Sequence, residues 1–397
     1  MSNTILAPSI TAPRILLRAL VGAQLEGWKN LPKHVERPHL YSTGNALRFA
    51  LPHAVVEAVL APCAEGFVRL SDAKPLLPAQ GKRADLATLP LAEPDPLEAQ
   101  KHPPPAFAEK GDLLAEIPAA AFFALTERLS SFVSTDDTRP TLAGWALDLR
   151  ADGASCMVAT DGRRLVVASL PVCPLTDVVP GVWICPSGPG YDALRAILGA
   201  STGMLRVYGR GHTYVAEPAR RSPYTSELYS ERRATDRWLT LEGAEGRVQF
   251  KSTAVAFPAW EMLFDAPPGE TTYPRKGPPV VGPAPIAVRC TLERAPLRAA
   301  LTLAVKKRKG PELLAKLCVS RSALQANFSN DAALVYNGPC ESYEGPECPE
   351  RGINARYLLD AVDACEAPRI DLTLYGALDP IIFTSGDLRG LITPARI

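Results

Sequence analysis

After the strand-like run Leu113-Leu114-Ala115-Glu116-Ile117, the apolar residues Phe122, Leu125 and Leu129 recur at three- and four-residue spacing, with Arg128 on another face. That spacing predicts an amphipathic helix. Short apolar runs follow at 145–149, 156–160 and 164–170, and Asp161-Gly162 between the last two is a tight-turn signal. A second helix is expected from about Gly190 to Leu198, on the stripe Tyr191, Leu194, Ile197 and Leu198. Strands are expected again at 205–208, 247–251 and 253–256.

The last part of the chain repeats this order. A strand at 286–290 precedes a helix marked by Leu297, Leu301 and Val305, and strands follow at 317–319 and 324–326. A helix over about 354–365 then leads to strands at 370–374, 381–383 and 388–393. Near the start, 47–51 reads as a strand and about 53–60 as a helix. Strand, helix and further strands, twice in each of the later blocks, make an α+β pattern with internal repetition.

Two Pro-rich runs, Leu89 to Ala108 and Ala266 to Pro285, favour extended chain and resist helix or sheet. They divide the chain into blocks of single-domain size, 1–108, 109–270 and 283–397. With 47% hydrophobic and 21% charged residues, the 397-residue chain can bury cores of its own. Its 43 Lys and Arg against 42 Asp and Glu leave a net charge of +1, which names no partner. A nucleic-acid surface would have to come from local segregation of charge. No stretch approaches the ~20 apolar residues of a membrane span, and the first residues lack a secretory pattern. A cytoplasmic protein is expected.

The chain offers little catalytic chemistry. Its nine cysteines form no C-x-x-C pair, and Cys340 and Cys348 lack neighbouring ligands, so reduced thiols rather than a zinc site are expected. Of five histidines none lies beyond His212. Phosphate-loop, zinc-protease and nucleophile-elbow motifs are absent from the sequence. No metal, cofactor or catalytic residue is expected.

Several segments carry a resemblance. Ala159-Thr160-Asp161-Gly162-Arg163-Arg164-Leu165 resembles the A-T-D-G-[HR]-R-L hairpin of the bacterial DNA sliding clamp family, the β subunit of DNA polymerase III. Upstream, Asp137-Thr138-Arg139-Pro140-Thr141-Leu142-Ala143-Gly144 is similar to its D-T-R-P-x-L-x-G. Phe257-Pro258-Ala259-Trp260 is similar to F-P-D-Y, with Ala for Asp and Trp for Tyr. Ile353 to Ala361 resembles F-N-x-x-Y-L-L-D-A, and Leu372 to Pro380 resembles L-x-L-x-G-x-L-S-P. Thr393-Pro394-Ala395-Arg396-Ile397 is like M-P-[VM]-R-L. A lone Asp-Gly hairpin is common; six such segments in the family's order over 110–397 are far more specific.

The resemblance implies a DNA-clamp fold of three similar domains, each of two β-α-β-β-β units, with helices lining a central channel and sheets outside. It implies a homodimeric, non-enzymatic processivity factor around double-stranded DNA, held without sequence preference. Arg14, Arg18, Arg37, Arg128, Arg195, Arg298, Lys306, Lys307 and Arg356 would face the DNA. The same cations would equally suit the solvated faces of amphipathic helices. DNA polymerase, clamp loader and other clients would insert a short peptide into a groove. Its matching positions are Leu142, Thr160, Gly162, Arg163, Arg164, Leu165, Pro258, Leu263, Tyr343, Pro380, Leu391, Thr393, Pro394, Ala395 and Arg396.

The departures from the family pattern fall mostly in the first block. Arg37-Pro38-His39-Leu40, Gly44-Asn45 and Ala84 to Pro90 resemble family segments, but the hairpin with the T-D-L-E signature is missing between them. Residues 209–240, rich in Arg and Tyr, are an insertion. At the expected dimer interface Leu86 is apolar, whereas Lys306 and Lys307 stand where apolar residues are usual. An alternative therefore stays open: a clamp-like accessory protein, plasmid, phage or repair associated, that binds clamp clients without forming a closed ring.

Overall fold

The computed structural model describes residues 9–27, 40–43, 45–51, 53–60, 65–68, 86–90, 105–136, 138–150, 152–173, 181–217, 220–221, 228–229, 232–252, 257–265, 271–272, 280–281, 288–307, 313–327, 335–346, 350–376 and 378–395. The chain begins with β1 (Ser9–Pro13), α1 (Arg14–Gly27), β2 (Leu40–Thr43), β3 (Ala46–Leu51), β4 (Ala54–Val59), β5 (Glu65–Val68) and β6 (Leu86–Pro90). It continues with β7 (Asp112–Pro118), α2 (Ala119–Leu129), β8 (Gly144–Leu149), β9 (Cys156–Thr160), β10 (Arg164–Ser169), β11 (Gly181–Pro186) and α3 (Pro189–Leu198). Then come β12 (Met204–Glu217), the short pair β13 (Arg220–Arg221) and β14 (Leu228–Tyr229), β15 (Arg232–Gly243) and β16 (Gly246–Ser252). The short β17 (Thr271–Thr272) and β18 (Val280–Val281) precede β19 (Val288–Glu293), α4 (Arg294–Lys307), β20 (Leu314–Val319), β21 (Ala323–Asn327) and β22 (Val335–Glu344). The chain closes with β23 (Arg351–Asn354), α5 (Ala355–Ala364), β24 (Arg369–Leu374), β25 (Ile381–Ser385) and β26 (Leu388–Ile392).

These elements form two compact units, neither a continuous segment. Unit one holds Met1–Ala124, Ala143–Ser155 and Leu170–Ala256. Its main sheet runs β5-β2-β3-β4-β16-β15-β12-β7, while β1 pairs with β6 and β8 with β11. Helices α1 and α3 pack together in it. Leu17, Leu20 and Val21 of α1 are buried, and so is the expected stripe of α3, Tyr191, Leu194, Ile197 and Leu198. Tyr191 also lies 4.4 Å from the ring of Trp145 on β8.

Unit two holds Leu125–Leu142, Cys156–Ser169 and Phe257–Ile397. Its strands run β9-β10-β26-β25-β24-β19-β22-β21-β20-β23, and α4 packs on α5. β9 and β10 are buried along nearly their whole length, which is why their apolar runs are continuous rather than alternating. Asn354 caps α5, its Oδ1 accepting from the Arg356 N–H at 2.9 Å. Ala355, Leu358, Ala361 and Val362 turn inward from that helix.

The structure corrects the sequence expectations near the N-terminus. Residues 54–59 are strand β4, where a helix was expected, and they pair antiparallel with β3, Leu51 opposite Ala54. Ala54, Val56 and Ala58 are buried and alternate with the more exposed Val55, Glu57 and Val59, so the period is two. Hairpin β3–β4 thus lies in a region read from the sequence as lacking one. The segment 335–344, unassigned from the sequence, is strand β22. In the second linker, otherwise largely outside the described residues, Thr271 pairs with Val281 and Thr272 with Val280.

Two features of unit one follow from close packing. Within the segment 209–240, β12 pairs with β15 out to Glu217 opposite Arg232, while β7 stops at Gly209 and β16 at Arg237. Among the described residues the outer part is therefore a two-stranded ribbon. At its root a Cβ on Gly209 would stand 2.5 Å from the Trp183 ring and 2.4 Å from Leu114 Cδ1, so only glycine fits. Arg237 lies 4.3 Å over the same Trp183 ring and donates to the Val182 carbonyl at 3.1 Å. The end of the first linker is tied to the sheet by buried Gln249, which accepts from the Ala108 N–H at 2.6 Å and donates to its carbonyl at 3.0 Å. Beside it Phe107 lies 4.0 Å from the Arg247 guanidinium.

Candidate functional site

The site is built on the β9–β10 turn in unit two. Asp161 Oδ1 accepts from the N–H groups of Arg163 (2.8 Å) and Arg164 (3.0 Å), an Asx-type turn. Gly162 sits at φ +85°, the left-handed region that glycine enters without steric cost. The buried Thr160 hydroxyl accepts from the Gly162 N–H at 3.1 Å and donates to the Arg164 carbonyl at 2.7 Å. The turn is thus held from within by its own short polar side chains.

Arg164 ties this turn to the rest of the unit. Its side chain is buried, and its Nε donates to Asp161 Oδ2 at 3.0 Å. The two terminal nitrogens donate to Asp360 on α5 and to the Ser131 carbonyl. The guanidinium also lies 4.4 Å from the Tyr357 ring and 5.1 Å from the Phe132 ring. Burial pushes the Asp360 carboxyl above its ordinary value, and Arg164 pulls against that rise.

β26 then brings the chain's end to the turn. Leu165 pairs with Leu391 and Arg164 with Ile392. Beyond the strand, the Thr393 N–H and hydroxyl both donate to the Arg163 carbonyl, at 2.9 and 2.7 Å. The Ala395 N–H donates to the Gly352 carbonyl at 2.9 Å. Between these anchors lies a pocket of about 320 Å³, lined by Arg163, Leu314, Asn354, Tyr357, Thr393, Pro394 and Ala395.

Four of the sequence-selected groove residues, Arg163, Thr393, Pro394 and Ala395, line this pocket together. Leu142, Thr160, Leu165 and Leu391 are buried, and Arg164 and Gly162 shape the turn. The others do not line it. Pro258 is exposed, Leu263 is 49% exposed on a short helical turn, Pro380 is half-buried, and the Tyr343 hydroxyl donates to the Pro346 carbonyl. Arg396 lies outside the described residues. Leu314, Asn354 and Tyr357 were not selected from the sequence. Asn354 and Tyr357 belong to the I-N-A-R-Y segment that was read for its fold; Leu314 carries no sequence signal, being one leucine at a strand start.

The expected DNA-facing cations divide by environment. Arg195, Arg356 and Lys306 are exposed. Arg298 is paired with Asp363, and Arg128 donates to the Ala364 carbonyl and to Asp387, the latter at 3.2 Å. Those carboxylates offset the charge of Arg298 and Arg128. Arg14, Arg18 and Lys307 lie on helices but their side chains fall outside the described residues, as does Leu86 on β6; Arg37 lies outside them altogether. Among the described residues no three His, Cys, Asp or Glu side chains converge on a metal position, and no helix is long and apolar enough to cross a membrane.

No family model and no curated protein matches the chain. Solved structures do. The Caulobacter crescentus polymerase III β structure superposes with a TM-score of 0.68 over 98% of this chain and 100% of that one, at 17% identity. The Thermotoga maritima DNA polymerase III β subunit gives 0.67 over 98% and 99%, at 13% identity. This chain has the bacterial sliding-clamp fold. The Bacillus subtilis DNA polymerase sliding clamp matches equally well, with a TM-score of 0.67 at 15% identity. At such identities the likeness is one of fold.

Proposed function

We propose that the protein is a DNA sliding clamp: a non-enzymatic processivity factor that closes as a homodimer around duplex DNA in the cytoplasm. In this reading it has three domains, 1–108, 109–270 and 283–397, and tethers a polymerase, a clamp loader and other clients. The observation that carries the reading is the pocket where the β9–β10 turn meets the chain's end, set in a chain whose whole length has the clamp fold. Small, apolar and polar groups around a concave site suit a short anchoring peptide. Exposed Arg195, Arg356 and Lys306 supply loose cationic contacts, as sliding requires, because tight phosphate pairing would arrest motion. The test is loader-driven loading onto nicked circular DNA. The loaded protein should stay on the circle and be lost when the circle is cut, and equal retention on both would refute the ring.

A second reading, an accessory protein that binds clamp clients without closing a ring, is favoured by the exposed charge of Lys306 at the expected dimer contact. It predicts a monomer in light scattering that still competes for clamp-binding peptides.

A further inference from the structure

Cys290 lies on β19 and Cys340 on β22, antiparallel neighbours in the sheet of unit two. Cys290 stands opposite Tyr343, Thr291 opposite Ser342 and Leu292 opposite Cys340, with Glu341 the extra residue where the register shifts. Cys290 and Leu292 are both buried, so Cys340, across from Leu292, projects to the same face of the sheet as Cys290. Diagonal neighbours in a regular ladder stand about 7–8 Å apart. Here the ladder is bulged, and the two thiols are hydrogen-bonded to each other. Helix α4 packs against both strands. Cys290 is 2% exposed, whereas Cys340 is half-buried and open to solvent on one side.

We propose that Cys290 and Cys340 are a thiol-oxidation site, closing a reversible intrachain disulfide across β19 and β22 when they meet a small-molecule disulfide such as oxidised glutathione. Cys340, the accessible member, gives its proton to solvent and attacks one glutathione sulfur as the thiolate. The glutathione S–S bond breaks, a mixed disulfide forms on Cys340, and the first glutathione leaves as a thiolate. Cys290 then loses its proton to solvent and attacks the Cys340 sulfur. The Cys290–Cys340 bond forms as the second glutathione departs. The two protein thiols give up two electrons and the glutathione disulfide accepts them, leaving two glutathione thiols. Burial pushes the Cys340 thiol above its ordinary value and the hydrogen bond from Cys290 pulls it back, so the attacking thiolate is a minor species and the first step is slow. The bridge encloses α4, β20 and β21 in a covalent loop, which removes freedom from the unfolded chain.

The test uses the full chain, reduced and then held with excess oxidised glutathione at about pH 8, where thiolates form. It is quenched with acid, alkylated and digested without reductant for mass spectrometry. A peptide linking Cys290 to Cys340 should dominate, run as a monomer on a non-reducing gel, and vanish with dithiothreitol. Cys290→Ala should stop at the mixed disulfide of Cys340 with glutathione, since the second nucleophile is gone, and Cys340→Ser should leave Cys290 unmodified. The bridged parent should melt roughly 5–10 °C above the reduced one. A link from Cys340 to Cys348, a link between two chains, or a parent that stops at the mixed disulfide would each overturn the proposal. So would modification of exposed Cys173 and Cys318 with no reaction at Cys340. A bridged parent that melts no higher than the reduced one would refute a pair already poised in the folded ladder. The peptide map of the parent decides the matter even where a variant fails to fold.

Discussion

Replacing Arg164 by Met removes the guanidinium but keeps most of the side-chain volume. The arginine is 9% exposed and its partners Asp161 and Asp360 are 18% and 23% exposed, so three largely buried acceptors, with the Ser131 carbonyl, lose a donor at once. Removing one member of a buried pair costs about 3–5 kcal/mol, and partial solvent access at Asp360 favours the lower end, about 3 kcal/mol. For a cooperative unit of ~150–250 residues that is a fall of roughly 6–12 °C in Tm. Burial already holds the Asp360 carboxyl above its ordinary value, so the folded form keeps its proton more tightly than the unfolded chain. Stability linked to this group is therefore greatest at low pH and declines as pH rises through the raised pKa. Without Arg164 the pKa rises further, so the Met variant's penalty should grow as pH rises above the ordinary carboxylate range and the orphaned carboxylate is forced to ionise. Calorimetric melting over that rise in pH, with Asp360→Asn added to relieve the variant, measures the effect. A loss under about 0.5 kcal/mol, or one that does not vary with pH, would refute the central role of this cluster.

Gly162→Ala should cost about 1–2 kcal/mol, because φ is +85° there, and a urea melt indistinguishable from the parent would contradict the turn geometry. Burial pushes the Cys365 thiol up to about 11, and its Sγ donates to the Ala361 carbonyl. Iodoacetamide at about pH 8 should label exposed Cys173 and Cys318 in the folded protein and reach Cys365 only after unfolding. Gln249→Ala leaves the Ala108 N–H and carbonyl without their partner; stability should drop by about 1–3 kcal/mol, with faster hydrogen exchange at Ala108.

The sequence by itself determined the repeated strand–helix–strand order, the stripes of α2 to α4 and the Asp161-Gly162 turn. Each follows from periodicity or from a local backbone requirement that the residues themselves carry. The clamp resemblance selected Arg163 and Thr393 to Ala395, which the structure places around one pocket. The helix expected at 53–60 failed because small and β-branched residues at Ala54, Val55 and Val56 fit both periods over so short a run. Pairing with β3 and β16 decided for strand. Only tertiary structure could place Leu314 on the pocket wall, since its neighbours there lie about 40 to 150 residues away along the chain. It alone also separated the adjoining arginines 163 and 164, identical in type. One is turned inward onto Asp360, while the other keeps an unpaired charge beside the pocket, a difference set by which carboxylates the fold brings within reach.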